Sequence, residues 1–236
     1  MSDEGTTRSG GAVLVTGAAG ALGEAVLARL ATTRRPVAAL VRSVDDAATL
    51  RGGGVWATPV DLLDEAAVAA AVASATAEVG PIGDALLLAG GFAMAPAAET
   101  DLAALRRQWD LNVATAASVV RALLPVVAAA GGGTLVGVGA GQARRGGARA
   151  TAYAAAKAAL AAYLRAVDEE WAARGVRTVT VFPMGTLDTA ANRRAMPDAD
   201  PRAWIDPDVL AEVLLQALHL GPRGRWREVE VHPDAG

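Results

Sequence analysis

Tyr153 and Lys157 stand four residues apart in the run Thr151-Ala152-Tyr153-Ala154-Ala155-Ala156-Lys157, a spacing that stacks a phenol and an ammonium on one helical face. A free tyrosine has a pKa of about 10, and a lysine held beside it stabilises the phenolate and brings proton exchange within reach. The pair is a candidate proton donor and its tuner. The same spacing also describes a tyrosine half in the core beside a solvated lysine, so the elements that would carry this face to a crevice have to be found elsewhere in the chain.

A length of 236 residues suffices for one large domain, and no composition break or Pro/Ser-rich linker divides the sequence. Hydrophobic residues make up 53% and aromatics only 4%, so the core must be built from Ala, Val and Leu, which suits helices packed closely on a parallel sheet. A net charge of -3 with interspersed signs gives no footprint for a polyanion, so nucleic acid is not an expected partner. There is no cysteine and there are two separated histidines, which excludes thiolate chemistry and argues against a metal site. Residues 1–10 are polar, and the longest apolar stretches are interrupted by Gly, Asp or Arg. The expectation is a cytoplasmic protein with no membrane partner and a disordered tail over residues 1–10.

Strand-like runs at 12–16, 37–41, 55–60, 85–89, 134–138, 176–182 and 226–231 alternate with Ala/Leu-rich segments of helical length. Successive βα units with nearly continuous apolar strands predict an α/β fold: a single doubly wound Rossmann-type domain over residues 11–236, with about seven parallel strands and helices on both faces. Ligands of such sheets bind outside the carboxyl ends of the strands, near the switch point in strand order. Residues 183–207, with four prolines among Asn, Arg, Asp and Trp, read as a long connection without structure of its own, the kind that serves as a substrate lid.

The first strand runs into Thr16-Gly17-Ala18-Ala19-Gly20-Ala21-Leu22-Gly23 and then a helix, the setting a nucleotide-binding glycine loop requires. Glycines permit close backbone approach, and the helix N-terminus offers unpaired N–H groups and a positive dipole end to a pyrophosphate. The alternative is a plain βα turn with small residues for packing. The spacing also departs from the usual Gly-x-Gly-x-x-Gly fingerprint.

With this loop, the chain resembles the short-chain dehydrogenase/reductase family over nearly its whole length. Ala21 stands where the family's middle glycine is usual, and Gly20 gives a Gly-x-x-Gly-x-x-Gly spacing that some branches share. The resemblance implies that Gly17, Ala19, Gly20, Leu22 and Gly23 cradle a dinucleotide and that Asp61 and Leu62 lie against its adenine. Leu88-Ala89-Gly90-Gly91 occupies the place of the family's Asn-Asn-Ala-Gly, keeping Ala89 and Gly90 and losing both asparagines. Asn112 matches the family's structural and proton-relay asparagine, and Tyr153 and Lys157 fall where its catalytic pair belongs. Lys157 would then also grip the nicotinamide ribose, with Pro183 and Thr189 flanking the nicotinamide.

After the second strand, cofactor users of this kind carry an acidic residue for the two ribose hydroxyls of NAD, or a cation for the 2′-phosphate of NADP. Leu40-Val41-Arg42-Ser43 has no carboxylate at the strand end, and Arg42 with Ser43 can offer a charge-assisted fork and a hydroxyl to a phosphate. NADP(H) is therefore favoured. NAD(H) remains the alternative if Arg42 is only solvated and Asp45 or Asp46 reaches the ribose.

The family places a serine thirteen residues before its tyrosine, and that position here is Ala140, in Val138-Gly139-Ala140-Gly141-Gln142. No serine follows Ser118 anywhere in the chain, so realignment does not restore one. Loss of one preorganised donor to a developing oxyanion typically lowers the rate about 10²–10³-fold, which puts ordinary ketone reduction in doubt. Gln142 and Thr151 are the nearby polar candidates, Gln142 the better because it follows the fifth strand.

The dihydropteridine reductase branch is similar in its glycine loop, in Ala89-Gly90-Gly91-Phe92, in Ala-Gly at the serine position, and in residues 187–200. That branch reduces a quinonoid pterin without a serine-held alkoxide, though its acidic second-strand residue is absent here. The resemblance thus implies hydride transfer to a small C=O, C=N or quinonoid acceptor with Tyr153 as proton donor, and with Met196 and Trp204 either walling the acceptor or simply packing the lid. It also implies a homodimer or homotetramer through the helices containing Asn112 and Tyr153. Two rival classes stay open: a cofactor-binding regulator or scaffold with little or no catalysis, and a redox-neutral isomerase or dehydratase.

Overall fold

A computed structural model describes residues 11–219 and 224–234; the tail expected over residues 1–10 lies outside the described residues. The apolar runs form seven strands: β1 (Ala12–Thr16), β2 (Val37–Val41), β3 (Trp56–Pro59), β4 (Ile82–Leu87), β5 (Gly133–Val138), β6 (Val176–Pro183) and β7 (Glu228–Val231). All are parallel, in the order β3-β2-β1-β4-β5-β6-β7. The order reverses between β1 and β4, so the two halves wind in opposite senses from a switch point there.

Among the described residues nine α-helices connect them: α1 (Ala21–Thr33), α2 (Val44–Gly52), α3 (Glu65–Val79), α4 (Leu102–Trp109), α5 (Thr115–Ala129), α6 (Gly141–Arg145), α7 (Thr151–Trp171), α8 (Ala190–Ala195) and α9 (Pro207–Leu218). One buried layer joins alternate strand residues such as Leu14, Leu40 and Leu135 to Val68, Leu123 and Leu164 of α3, α5 and α7. The opposite layer joins Val13, Val15 and Val136 to Leu30 of α1 and Leu210 and Leu214 of α9. Because both sheet faces are covered, β1 and β2 read as continuous apolar runs, whereas the edge strand β7 alternates as Glu-Val-Glu-Val.

Three sequence expectations shift. The fourth strand begins at Ile82 and ends at Leu87 rather than spanning 85–89, because Asp84 is tolerated inside the sheet by Arg35 and Leu88 to Gly90 leave it for the crevice. Residues 183–207 are not structureless: Thr189 caps α8 by accepting from the Asn192 N–H, a 3₁₀ turn covers Pro201–Ala203, and a parallel bridge joins Leu187 to Ile205. The third change concerns apolar length. The helical run Leu102–Ala129 passes through a π turn at Asp110–Ala114 and is long and apolar enough by composition to cross a membrane, yet it packs here as a core helix against α3, α7 and the sheet.

Candidate active site

The carboxyl ends of β1 and β4 part at the switch point, and Thr16 ties them by accepting a 3.1 Å hydrogen bond from the Ala89 N–H. Gly17 turns the chain with φ +67°, and a Cβ on it would lie 2.8 Å from Ala89 N. A Cβ on Gly23 would lie 2.4 Å from the Ala18 carbonyl oxygen, so packing alone demands both glycines. Gly20 differs: a Cβ there would meet only the Gly17 carbonyl oxygen at 3.4 Å, an ordinary contact. Nothing inside the described protein requires Gly20 to be glycine. Ala19 and Gly20 are exposed, Leu22 packs into the core, and no side chain caps the N-terminus of α1. By contrast α2, α3, α4 and α9 are capped by Ser43, Asp64, Asp101 and Asp206.

Arg42 and Ser43 follow β2, and Asp61 and Leu62 follow β3, so sheet pairing sets the two segments side by side. Ser43 Oγ accepts from the Asp46 N–H at 3.1 Å and still has its own proton to donate. Asp61 accepts from the Leu63 N–H at 2.9 Å. Arg42 is exposed and makes no side-chain hydrogen bond or ion pair among the described residues; Asp45 and Asp46 sit in the first turn of α2.

Across the crevice, the helical spacing of Tyr153 and Lys157 places both side chains on one face of α7, with Lys157 Nζ 5.9 Å from the tyrosine ring centre. Lys157 is 7% exposed and donates a single hydrogen bond, 2.8 Å to the Val138 carbonyl at the end of β5. No carboxylate neutralises it among the described residues, and burial lowers its pKa to about 8. Burial also pushes the Tyr153 phenol up to about 12. The expectation that the lysine draws the tyrosine downward is therefore not met in the protein by itself: desolvation of the phenolate outweighs a cation at this distance. Tyr153 is held in its protonated form.

Asn112 is fully buried at the π turn, a widening often found at functional sites. Its side chain clamps the loop after β4 in both directions: Oδ1 accepts from the Gly91 N–H at 3.2 Å and Nδ2 donates to the Gly91 carbonyl at 2.9 Å. Nδ2 also faces the Gln108 carbonyl and Oε1 at 3.0 and 3.2 Å. A Cβ on Gly90 would lie 2.8 Å from Asn112 Oδ1 and 3.4 Å from Lys157 Nζ. The asparagine and the lysine therefore meet across one glycine α-carbon, and Ala89-Gly90 threads between the two halves of the site.

Ala140 is buried just past β5 and precedes α6. Gln142 lies on α6 with its stem against Gly147, and Thr151 hydrogen-bonds Thr100 at 3.3 Å. Pro183 ends β6 opposite Val231, and Thr189 is occupied as the α8 cap. Met196 closes α8 with an exposed side chain, and the half-buried Trp204 directly precedes the Ile205 bridge. Three contacts escaped the sequence reading: that of Gln108 with Asn112, that of Thr16 with Ala89, and that of Phe92 with Tyr153. Only Gln108 had a local signal, its i, i+4 spacing to Asn112; the others depend on contacts between distant segments. No group of His, Asp and Glu suited to a metal ion occurs among the described residues.

Comparison with known proteins agrees with this geometry. Residues 11–200 match the family model for short chain dehydrogenases. The chain is 36% identical over 186 residues to cis-4-hydroxycyclohexanecarboxylate dehydrogenase of Sinomonas cyclohexanicum, covering 75% of this chain and 73% of that one. It is 30% identical over 188 residues to D-threitol dehydrogenase of Mycolicibacterium smegmatis, covering 75% and 71%. In fold it superposes with TM-score 0.85 and 21% identity, over 96% of each chain, on an NADPH-bound short chain oxidoreductase of Pseudomonas aeruginosa PAO1 containing an atypical catalytic center. A seven-stranded parallel sheet with its crevice at the β1/β4 switch point, together with these matches, makes the chain a member of the short-chain dehydrogenase/reductase family.

Proposed function

We propose that the protein is an NADPH-dependent reductase in which Tyr153 gives a proton to a small conjugated C=O, C=N or quinonoid acceptor. The observation that carries this reading is Lys157, a buried cation with one hydrogen bond and no counter-charge among the described residues, beside a protonated phenol. A purely structural lysine would be expected to pair or to reach solvent.

The residues present fit a dinucleotide. Gly20 leaves its α-carbon open, the uncapped α1 N-terminus can receive a pyrophosphate, and the remaining donors of Lys157 can reach ribose hydroxyls. Arg42 and the Ser43 hydroxyl would hold a 2′-phosphate, Asp61 and Leu62 would border the adenine, and Pro183 and Thr189 would flank the nicotinamide. Bound there, the nicotinamide supplies hydride. Lys157 orients the ribose and Tyr153, Asn112 fixes the Gly90-Gly91 turn and with Gln108 borders the route by which Tyr153 is reprotonated, and residues 183–207, with Met196 and Trp204, cover the acceptor.

Ala140 supports the choice of acceptor. Where a hydroxyl would hold a developing alkoxide, the site has a methyl group, and an acceptor whose charge is spread over a conjugated system does without that donor. Gln142 is the polar group nearest in sequence. The dihydropteridine-type acceptor is one member of this class, whereas the saturated ring in the name of the Sinomonas relative would correspond to an ordinary cyclic ketone. Leu105, Arg106 and Trp109 of α4 and Ala152, Ala155 and Ala156 of α7 line an apolar groove, with Leu102 and Leu111 exposed nearby. A second copy of the chain is the occupant this reading assigns to it, checked by sedimentation of the full chain.

The test is NADPH and NADH oxidation with quinonoid dihydropterin, cyclic imines, quinones and simple ketones. Quinonoid or imine acceptors should exceed simple ketones by at least about ten-fold in kcat/KM, and Ala140→Ser should raise the ketone rate about 10–10²-fold. Tight NADPH binding without oxidation by any acceptor would instead indicate a regulator, and turnover without net cofactor consumption an isomerase or dehydratase. Tighter binding of NADH than NADPH would overturn the role given to Arg42.

A further inference from the structure

Phe92 packs against Tyr153 with ring centres 4.8 Å apart and planes at 89°, an edge-to-face contact, yet 56% of the residue remains exposed. Its loop is not loose. Gly91 is bonded twice to the buried Asn112 side chain, and the Ala95 N–H donates 2.8 Å to the Arg149 carbonyl, two residues before α7 begins. Arg149 has φ 63°, a left-handed conformation that a non-glycine residue adopts only where the surroundings impose it. A Cβ on Gly91 would come within 2.9 Å of Leu111 Cδ1, so the loop passes close over that side chain. An aromatic ring is thus fixed at the mouth of the site, touching the proton donor, with Met94 exposed two residues further on.

We infer that Phe92 is the specificity-determining residue of the site and selects flat, ring-shaped acceptors by packing its uncovered surface against them. The inference rests on the reductase reading of the same crevice. Ala140, buried just past β5, offers no hydroxyl to fix a carbonyl, so orientation has to come from shape and apolar contact. A rigid ring held at both ends of its loop loses little freedom on binding, and it rewards planar molecules over small acyclic ones. Phe92 also limits the positions Tyr153 can take, so its effect on binding has to be separated from an effect on the tyrosine.

The experiment uses phenanthrenequinone as the flat probe and diacetyl as the acyclic one, with Phe92→Ala, Phe92→Leu and Phe92→Tyr. Turnover with NADPH should show the ratio of kcat/KM for phenanthrenequinone over diacetyl falling about ten-fold in the alanine and leucine variants and returning in Phe92→Tyr. An equal fall for both probes would mean that Phe92 only positions Tyr153, and would overturn the inference. The second arm measures equilibrium binding of phenanthrenequinone to the NADPH-loaded Tyr153→Phe protein, where the proton donor is gone and the ring remains. Adding Phe92→Ala there should raise Kd about ten-fold; an unchanged Kd would overturn the inference. Should the wild type bind phenanthrenequinone through Phe92 but reduce neither probe, the reductase reading fails while the selection by Phe92 stands.

Discussion

At the amino edge of the sheet Arg35 donates to the Asp84 carboxylate at 2.7 Å and to the Gly11 carbonyl at 2.6 and 2.9 Å, while Asp84 also accepts from the Thr134 N–H at 2.7 Å. At the carboxyl edge Lys157, equally buried, has one carbonyl and a neutral phenol nearby. Both cations lie out of water in the same molecule. The first is surrounded by acceptors that fix three segments of chain; the second keeps donors uncommitted at the mouth of a crevice. The contrast separates a charge that holds the fold from one whose desolvation the fold must absorb, and it is the second kind that clusters at reactive sites.

Substitutions at the two edges should therefore fail in different ways. The largest expected effect is on chemistry: Tyr153→Phe should lower kcat about 10²–10⁴-fold with NADPH affinity retained, read by single-turnover kinetics and cofactor titration. Full activity in that variant would remove the distinction between the edges. Next comes Asp84→Ala, which strands the buried Arg35 guanidinium and the Thr134 N–H; a loss of about 3–5 kcal/mol in urea unfolding is expected, with KM for NADPH in the folded fraction unaltered.

The smallest effect is a stabilisation. Lys157→Met should unfold later than wild type at pH 7, by about 1–3 kcal/mol, while activity is lost. The sign follows from protons bound. Lys157 falls from 10.5 to about 8 on folding, so between those values the unfolded chain holds the extra proton and stability rises with pH. Below 8 the cost of burial is fully present. Tyr153 rises from 10 to about 12, so above 10 the unfolded chain has released a proton that the folded one retains, and stability falls. The advantage of the methionine variant should shrink from pH 7.5 to pH 9.5; an advantage independent of pH would mean that Lys157 is not the group titrating.

Much of this was legible in the chain. Parallel strands announce themselves as unbroken apolar runs when both faces are covered, and a helix repeats its faces every three to four residues, which is why β1, β2 and the Tyr153-Lys157 pair were readable locally. The start of β4 was not, because Asp84 looks like a strand breaker until Arg35, 49 residues away, is placed beside it. The order in the 183–207 segment had a partial signal in Thr189, a good N-cap, but the Leu187 to Ile205 bridge has none. The direction of the tyrosine shift was misjudged for a similar reason. Spacing gives a neighbour but not the water excluded around it.

That bridge has a consequence for motion. The Asp188 N–H donates to the Ile205 carbonyl and the Ile205 N–H to the Thr186 carbonyl, each at 2.8 Å, so the segment is closed on itself at its base. The entropy of bringing its ends together is settled once, when the domain folds. Asn192 of α8 donates 2.9 Å to the Leu187 carbonyl and Arg193 grips the Asp188 carboxylate with two hydrogen bonds of 2.6 Å, so α8 is fastened to that neck rather than hanging free of it, and the pairing of β6 and β7 is left to itself.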